Sequence, residues 1–211
     1  MIYTSSSIIC AFIFVLTPSE GYAQQKWISE DIPYSSSKLV FLGEEFGMTN
    51  RKSIRSHLGD WRQGSEFQYW RGDRNFLNMQ LDSLFVGAAY FNEQTVQEKL
   101  KSRSWIKSAE WSDLDDQQLT ILRGNFKYRK FSRDAYKCVG IYMLFGVNNE
   151  SGSPNRILSG FYCQQGKELD EKFIRSILKS IGFKHERFGF EAVKPSPTVT
   201  AKKTPTVTAE K

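Results

Sequence analysis

The chain has 211 residues, of which 40% are hydrophobic and 25% are charged. These values are typical of a globular protein, so they exclude a chain that is disordered throughout or that consists of membrane spans. The length suits one domain with additional segments at its ends, and the net charge of +6 allows an anionic partner without identifying one.

The first 23 residues have the features of a secretory signal peptide. Residues Ile8 to Leu16 form an apolar run that is followed by the breaker Pro18 and by small residues around Ala23. The run is shorter than the about 18 apolar residues that cross a bilayer, which favours a signal peptide over a membrane anchor or an amphipathic N-terminal helix. We therefore expect cleavage after Ala23 and a periplasmic or secreted mature chain without a transmembrane segment.

The expected globular domain spans residues 24–183 and opens with short elements. Lys38 to Leu42 is typical of a short strand. Arg51 to Leu58 is interpreted as a brief helix, because Ile54 and Leu58 are four residues apart and fall on one side of a helix.

A hairpin and a helix are predicted next. Glu66 to Arg71 and Asn75 to Phe85 have the pattern of strands and flank a turn at Gly72-Asp73. Asn92 is positioned to cap a helix from Glu93 to Arg103, which has acidic residues at its start and basic residues near its end.

The second half of the domain is predicted to contain antiparallel strands and a closing helix. The strands are Leu119 to Arg123, Phe126 to Phe131, Tyr136 to Gly146 and Arg156 to Cys163. Apolar residues recur at helical spacing from Leu169 to Ile181, and Gly182 is expected to cap that helix. The order of elements predicts the α+β class: a single domain with a mainly antiparallel sheet of about five to seven strands and two main helices packed on it.

Cys138 and Cys163, the two cysteines of the expected mature chain, are predicted to form a disulfide. The strands that contain them must turn within the loop-forming residues Asn148 to Asn155. A fold about the middle of this loop places the two cysteines directly opposite each other, where Cα atoms are about 4.5–5.5 Å apart. Export favours the disulfide over two buried free thiols. Both faces of this hairpin are apolar, so we expect it to lie in the centre of the sheet.

The C-terminal half resembles a known group of proteins. The resemblance is carried by Cys138-Val139-Gly140-Ile141-Tyr142, Phe145-Gly146, Leu158-Ser159-Gly160-Phe161-Tyr162-Cys163 and Ser180-Ile181-Gly182-Phe183. These segments are similar to a Cys-containing hairpin and terminal helix of uncharacterised secreted or periplasmic proteins of proteobacteria. The resemblance implies export and the disulfide, and it supplies no reaction and no catalytic residues.

No motif for catalysis, a cofactor or a metal is recognised in the sequence. The nucleophile elbow, the Walker loop, the dinucleotide fingerprint and the His-Glu-x-x-His pattern are absent. His57 and His185 are the only histidines, and Asp113 to Asp116 lacks the glycine and distal glutamate of a calcium loop. We therefore predict no catalytic residue, no cofactor and no metal ligand.

A basic region is the predicted binding surface. Residues 123–137 contain one acid and six bases, which are Arg123, Lys127, Arg129, Lys130, Arg133 and Lys137. Lys127 and Arg129 share the strand face opposite Phe126 and Tyr128, so we expect these bases to point to solvent. The surface is interpreted either as a binding site for an anionic glycolipid, a glycan or another envelope protein, or as a solvated strand face that deters edge pairing. Nucleic acid is not expected as a partner of an exported chain.

Residues 184–211 are predicted to be a disordered tail. The segment is rich in Pro, Thr and Lys, and it repeats Pro-Thr-Val-Thr-Ala at 197–201 and 205–209. Such a composition buries too little apolar surface to offset the entropy lost on ordering. The tail is interpreted either as a tether or as a passive end.

Two classes of function follow from the sequence. The first is an exported, non-enzymatic binding or accessory protein of unknown ligand that contacts an anionic envelope component through the basic region. The alternative is a hydrolase with dispersed carboxylates, which predicts a cleft with at least two acids whose pKa values are raised.

Overall fold

The structure is a computed structural model that describes residues 26–58, 63–85, 91–121, 124–146 and 153–184. The predicted signal peptide lies outside the described residues, as does all of the predicted tail except Lys184. Within the described ranges, no helix is both long enough and apolar enough to cross a membrane.

The described residues form eleven strands, two α-helices and three short 3₁₀ turns. The strands are β1 (Trp27–Asp31), β2 (Leu39–Phe41), β3 (Thr49–Leu58), β4 (Gln63–Arg71), β5 (Asn75–Leu84), β6 (Glu110–Trp111), β7 (Gln117–Ile121), β8 (Gly124–Arg133), β9 (Tyr136–Phe145), β10 (Arg156–Gln165) and β11 (Ile181–Phe183). The helices are α1 (Val96–Leu100) and α2 (Glu171–Lys179), and the 3₁₀ turns are Tyr34–Ser36, Gly43–Phe46 and Ser104–Ile106.

The predicted α+β class and the mainly antiparallel sheet are confirmed, but the predicted number of strands is too low. The short strand predicted at Lys38 to Leu42 is present as β2, but the unpredicted strands β6 and β11 also have three residues or fewer. Such segments are too short to show the two-residue repeat of a strand. All five residues of β1 are exposed, so this strand has no alternation of buried and exposed positions that the sequence could reveal.

Nine strands form one sheet in the order β1-β3-β4-β5-β10-β9-β8-β6, with β7 also paired to β8, and β2 and β11 form a separate two-stranded sheet. All pairings are antiparallel. The hairpin of β9 and β10 lies in the interior of the large sheet, as its two apolar faces predict.

Each face of the large sheet carries its own hydrophobic core. On the α2 face, side chains such as Ile141 and Leu158 pack against α2 and the small sheet. On the α1 face, Tyr142, Ile157 and Phe161 pack with α1 residues. Because each face of β9 and β10 is covered by a core, successive residues of these strands are apolar and do not alternate with polar ones.

The Cys138–Cys163 disulfide and its register are confirmed. Cys138 is the direct partner of Cys163 in the pairing of β9 with β10, and their Cα atoms are 4.1 Å apart. The residues on either side keep the same register, with Val139 opposite Tyr162 and Lys137 opposite Gln164. The covalent bond therefore joins two central strands on the α1 face, and it is compatible with an oxidising compartment.

The predicted helix at Arg51 to Leu58 is wrong. These residues belong to β3, in which Ile54 lies opposite Phe67 of β4. The four-residue spacing between Ile54 and Leu58 fits one face of a helix, but it is also a multiple of the two-residue strand repeat. The spacing alone therefore could not distinguish the two structures.

The helix predicted to be capped by Asn92 and to run from Glu93 to Arg103 is shorter and begins later. Thr95 caps α1: its Oγ1 accepts a hydrogen bond from the Glu98 backbone N–H at 3.1 Å, and the Glu98 carboxylate accepts one from the Thr95 backbone N–H at 2.9 Å. This reciprocal arrangement is the capping box of a Thr-x-x-Glu sequence. It satisfies two backbone N–H groups, whereas a single cap at Asn92 would satisfy one, so the helix begins after Thr95.

The closing helix is confirmed, but Gly182 does not cap it. Ser180 occupies the C-cap position of α2, and its backbone N–H lies 3.1 Å from the carbonyl oxygen of Ile177. Gly182 lies in β11 opposite Val40 of β2. The chain passes directly from the helix into a strand, so no left-handed residue is needed there.

Candidate functional site

The predicted basic residues do not form one surface. Arg123 lies outside the described residues. Alternation along β8 and β9 divides the other five between the two faces of the sheet. Lys127, Arg129 and Arg133 lie on the α1 face, together with the core residue Phe131, whereas Lys130 and Lys137 lie on the α2 face.

The three bases on the α1 face make contacts within the fold. The Lys127 ammonium lies 2.5 Å from the Glu93 carboxylate, and this hydrogen bond lowers the pKa of Glu93. The Arg129 guanidinium donates to the carbonyl oxygen of Ser112 at 2.7 and 3.2 Å. The third base, Arg133, donates to the carbonyl oxygen of Trp105 and lies 4.9 Å from the centre of that indole ring. These cations hold the segment around α1 against β8.

The two bases on the α2 face line a cavity of about 340 Å³ beside β6 and β8. Lys137 is paired with Glu168 at 3.1 Å, whereas the exposed Lys130 has no acidic partner among the described residues. Glu110 also lines this cavity, so two acids and two bases share it. This cavity has the two carboxylates that the hydrolase alternative requires, and that alternative remains an untested prediction.

A larger polar groove lies on the α1 face at the opposite end of the sheet. The helix α1 packs on β8, β9 and β10. Beyond it, side chains of β3 and β4 on the same face, such as Ile54 and Phe67, stay partly exposed. We call the cavity of about 450 Å³ above them the open-face groove.

Apolar and hydroxyl side chains alternate across the open-face groove. Trp27, with 43% of its surface exposed, and Phe67 provide aromatic rings. Ser29, Ser56 and Ser65 provide hydroxyls from three adjacent strands, and the Oγ atoms of Ser29 and Ser56 are 2.8 Å apart. The groove therefore offers ring surfaces and hydrogen-bonding groups side by side.

A hydrogen-bonded wall closes the groove on the side of α1. The carboxylate of Asp82 accepts a hydrogen bond from the Gln80 amide at 2.7 Å and one from the Lys99 ammonium at 3.1 Å. Behind it, Arg103 donates to Asn78 and to the Ser159 hydroxyl, the latter at 3.0 Å. Burial lowers the pKa of Arg103 to about 10, and the Asp82 charge opposes this shift. Asp82 is thus compensated by cations, and its side chain is fixed in position.

On the opposite face of the same strands, a buried carboxylate holds the β2 segment against the sheet. Glu66, which is 6% exposed, accepts hydrogen bonds from the Arg55 guanidinium at 3.0 Å. Its second oxygen accepts from the Ser37 hydroxyl at 2.8 Å and from the Lys38 backbone N–H at 2.6 Å. All these donors belong to the fold itself, so Glu66 holds the segment before β2 against β3 and β4, which carry the open-face groove on their other face.

The sequence did not predict the open-face groove. Trp27 and Ser29 lie in an unpredicted strand, and Ser56 lies in a segment predicted to be helical. The one local signal was the alternation of Gln63, Ser65 and Phe67 with residues that are buried. That alternation identifies a face of one strand, but not the neighbouring strands that complete the groove.

No protein-family model, curated protein or solved structure matches the chain. Within the described residues, no group of three or more His, Cys, Asp or Glu side chains is arranged to hold a metal ion.

Proposed function

We propose that the chain is an exported binding protein rather than an enzyme, and that its ligand is a neutral glycan segment in the open-face groove. The observation that carries the proposal is the combination of the exposed Trp27 ring with three serine hydroxyls and the fixed Gln80–Asp82 pair in one groove. Export is supported by the disulfide between Cys138 and Cys163, since such bonds persist in oxidising compartments.

The chemistry of the groove favours a sugar over other small ligands. A pyranose ring presents an apolar C–H face, which packs on an aromatic ring, and a rim of hydroxyls that both donate and accept hydrogen bonds. The groove offers Trp27 and Phe67 for the ring faces, and serine hydroxyls, an amide and a carboxylate for the rim. Its one charged lining residue, Asp82, is paired with Lys99, so a neutral ligand is favoured over a charged one.

Rigid walls make such a site effective. Three of the four strands that line the groove, β3, β4 and β5, have a strand neighbour on each side, and β1 is paired along its length with β3. Side chains held in place before binding lose little conformational freedom when the ligand arrives, which raises the affinity for a given set of contacts.

An anionic envelope component bound through the basic region is a second candidate. The exposed Lys130, which has no acidic partner among the described residues, and the neighbouring Lys137 favour it at the cavity beside β6 and β8. The structural contacts of Lys127, Arg129 and Arg133 limit this candidate to a much smaller area than the sequence predicts.

Replacing Trp27 by Ala is expected to weaken glycan binding roughly tenfold, because truncation of an aromatic anchor in an interface commonly costs more than about 1 kcal/mol. The measurement is isothermal titration calorimetry of the purified protein with a tetramer of N-acetylglucosamine and with maltotetraose as neutral glycan probes. Leu114→Ala is the matched control, since Leu114 is a large, 67% exposed side chain outside the groove. Equal losses in the two variants, or no binding of either probe by the unmodified protein, would argue against the glycan site.

A further inference from the structure

In the part of the chain that the structure describes, β1 is an edge strand of the large sheet. Its only strand partner among the described residues is β3. The backbone N–H of Ile32, just after β1, donates to the carbonyl oxygen of Ser53 at 3.0 Å. Because backbone groups alternate in direction along a strand, the N–H and C=O groups of Ile28 and Glu30 point to β3, and those of Ser29 point outward. Among the described residues, no strand pairs with these outward-pointing donors and acceptors.

This edge also carries apolar side chains on both of its faces. All five residues of β1 are exposed. Trp27 lies on the α1 face, as Ser29 does, and Ile28 lies on the α2 face with 51% of its surface exposed. Natural sheets usually protect an edge with charges or cover it, and in β1 the exposed acids Glu30 and Asp31 protect only the second half of the strand. The apolar first half, Trp27 and Ile28, marks an interaction surface.

We infer that β1 pairs with β1 of a second copy of this chain, antiparallel and centred on Ser29. In this register, Ser29 lies opposite Ser29 of the second copy, Ile28 lies opposite Glu30, and Trp27 lies opposite Asp31. The outward-pointing backbone groups of Trp27, Ser29 and Asp31 then face their counterparts and form the hydrogen-bonded pairs of the ladder.

The charges of β1 match this register. The strand reads Trp-Ile-Ser-Glu-Asp, with its apolar residues at one end and its acids at the other. Antiparallel pairing about the centre places each acid opposite an apolar residue, so no two carboxylates lie directly opposite each other. A parallel pairing in register would stack Glu30 on Glu30 and Asp31 on Asp31, so the sequence selects the antiparallel arrangement.

The pairing has a consequence for the open-face groove, and this step rests on the proposed function. The two-fold axis of an antiparallel strand pair is perpendicular to the sheet, so both copies show the same face on the same side. The two grooves, each of which includes Trp27 and Ser29, then adjoin across the new strand pair. A long glycan could contact both, which raises its apparent affinity without new contacts.

Two substitutions at one position test the register. Ile28→Glu places a carboxylate opposite Glu30 of the second copy, whereas Ile28→Lys places an ammonium there and removes the same apolar surface. We expect the unmodified protein to associate weakly into dimers, and Ile28→Glu to have a dimer dissociation constant roughly tenfold higher than Ile28→Lys, because the symmetry applies each cross-strand charge pair twice. Sedimentation equilibrium at several protein concentrations measures both constants.

The double variant Ile28→Glu/Glu30→Lys restores opposite charges and is expected to recover the dimer. A protein that stays monomeric at every concentration overturns the inference, as do equal dissociation constants for the two single variants. Ile28 lies on the face opposite the groove, so binding of N-acetylglucosamine tetramer should be retained by these variants as monomers. Loss of dimerisation with retained glycan binding, or the reverse, therefore separates failure of this inference from failure of the proposed function.

Discussion

Replacing Cys138 and Cys163 together by Ala is expected to lower the free energy of unfolding by about 3.5 kcal/mol. The estimate follows from the entropy that a bond between residues 25 apart in sequence removes from the unfolded chain. Both cysteines are almost completely buried on the α1 face, at 2% and 0% exposure, so lost packing adds to the effect. Urea denaturation followed by circular dichroism measures the difference.

The matched comparison is the unmodified protein after reduction, which breaks the Cys138–Cys163 bond and keeps both side chains. It should lose nearly the same free energy of unfolding as the double alanine variant. If the double alanine variant lost less than about 1 kcal/mol, the disulfide would not be a main source of stability in this fold.

Replacing Glu66 by Ala is expected to lower the free energy of unfolding by roughly 3 kcal/mol, the low end of the cost of breaking a buried ion pair, because the Glu66 side chain is 7% exposed but that of Arg55 is 28% exposed. The change leaves the Arg55 guanidinium, the Ser37 hydroxyl and the Lys38 backbone N–H without their acceptor. The effect should include detachment of the segment before β2. Two of its donors, the Ser37 hydroxyl and the Lys38 N–H, bind this carboxylate, and its Ser36 carbonyl oxygen accepts from Arg55, which Glu66 holds in place. Thermal and urea denaturation together with hydrogen exchange of the Leu39 amide report both effects.

Glu30→Ala is the control for Glu66. Glu30 is the other carboxylate near Arg55, at 3.8 Å, but 58% of its side chain is exposed. A surface ion pair contributes about 0–1 kcal/mol, so this variant should be close to the unmodified protein. Similar losses in the two variants would mean that Glu66 acts as an ordinary surface charge.

The hairpin of β9 and β10 could be predicted from sequence because its information is local. The loop-forming residues between the two strands fix the turn, and a turn at their centre determines which residues face each other. Cys138 and Cys163 met in the predicted register because neither strand contains a bulge between the turn and the cysteines.

Local patterns failed where two structures share the same spacing or where a second signal was stronger. The four residues between Ile54 and Leu58 fit a helix and a strand equally well, and pairing with β4 decided in favour of the strand. At α1, the reciprocal bonds of Thr95 and Glu98 outweighed a cap at Asn92. Both cases show that a single cue is insufficient when a competing one is present.

The basic region shows why alternation alone does not locate a binding surface. The sequence predicted correctly that Lys127 and Arg129 lie opposite Phe126 and Tyr128. The apolar second face of β9 and β10 was predicted, but the sequence could not show that the core on this face extends over β8, because the residues of α1 that cover it are distant in sequence. Long basic side chains at the border of that core serve as hydrogen-bond donors to backbone carbonyls instead of pointing into solvent.

The candidate groove was not predictable for a related reason. Its lining side chains come from β1, β3, β4 and β5, and each strand contributes only two or three of them. These side chains form one groove only because the pairing register places Ser29 opposite Ser56 and Ser56 opposite Ser65.

Chemical-shift mapping with ¹⁵N-labelled protein and the tetramer of N-acetylglucosamine tests the central claim most directly. The glycan is expected to shift the amide resonances of Ser29, Ser56, Ser65 and Gln80 and the indole resonance that Trp27→Phe removes, while resonances of Lys130 and Lys137 stay in place. Shifts confined to Lys130 and Lys137 on addition of an anionic glycolipid, with no response of the groove to the neutral glycan, would contradict the glycan site and support the basic region instead.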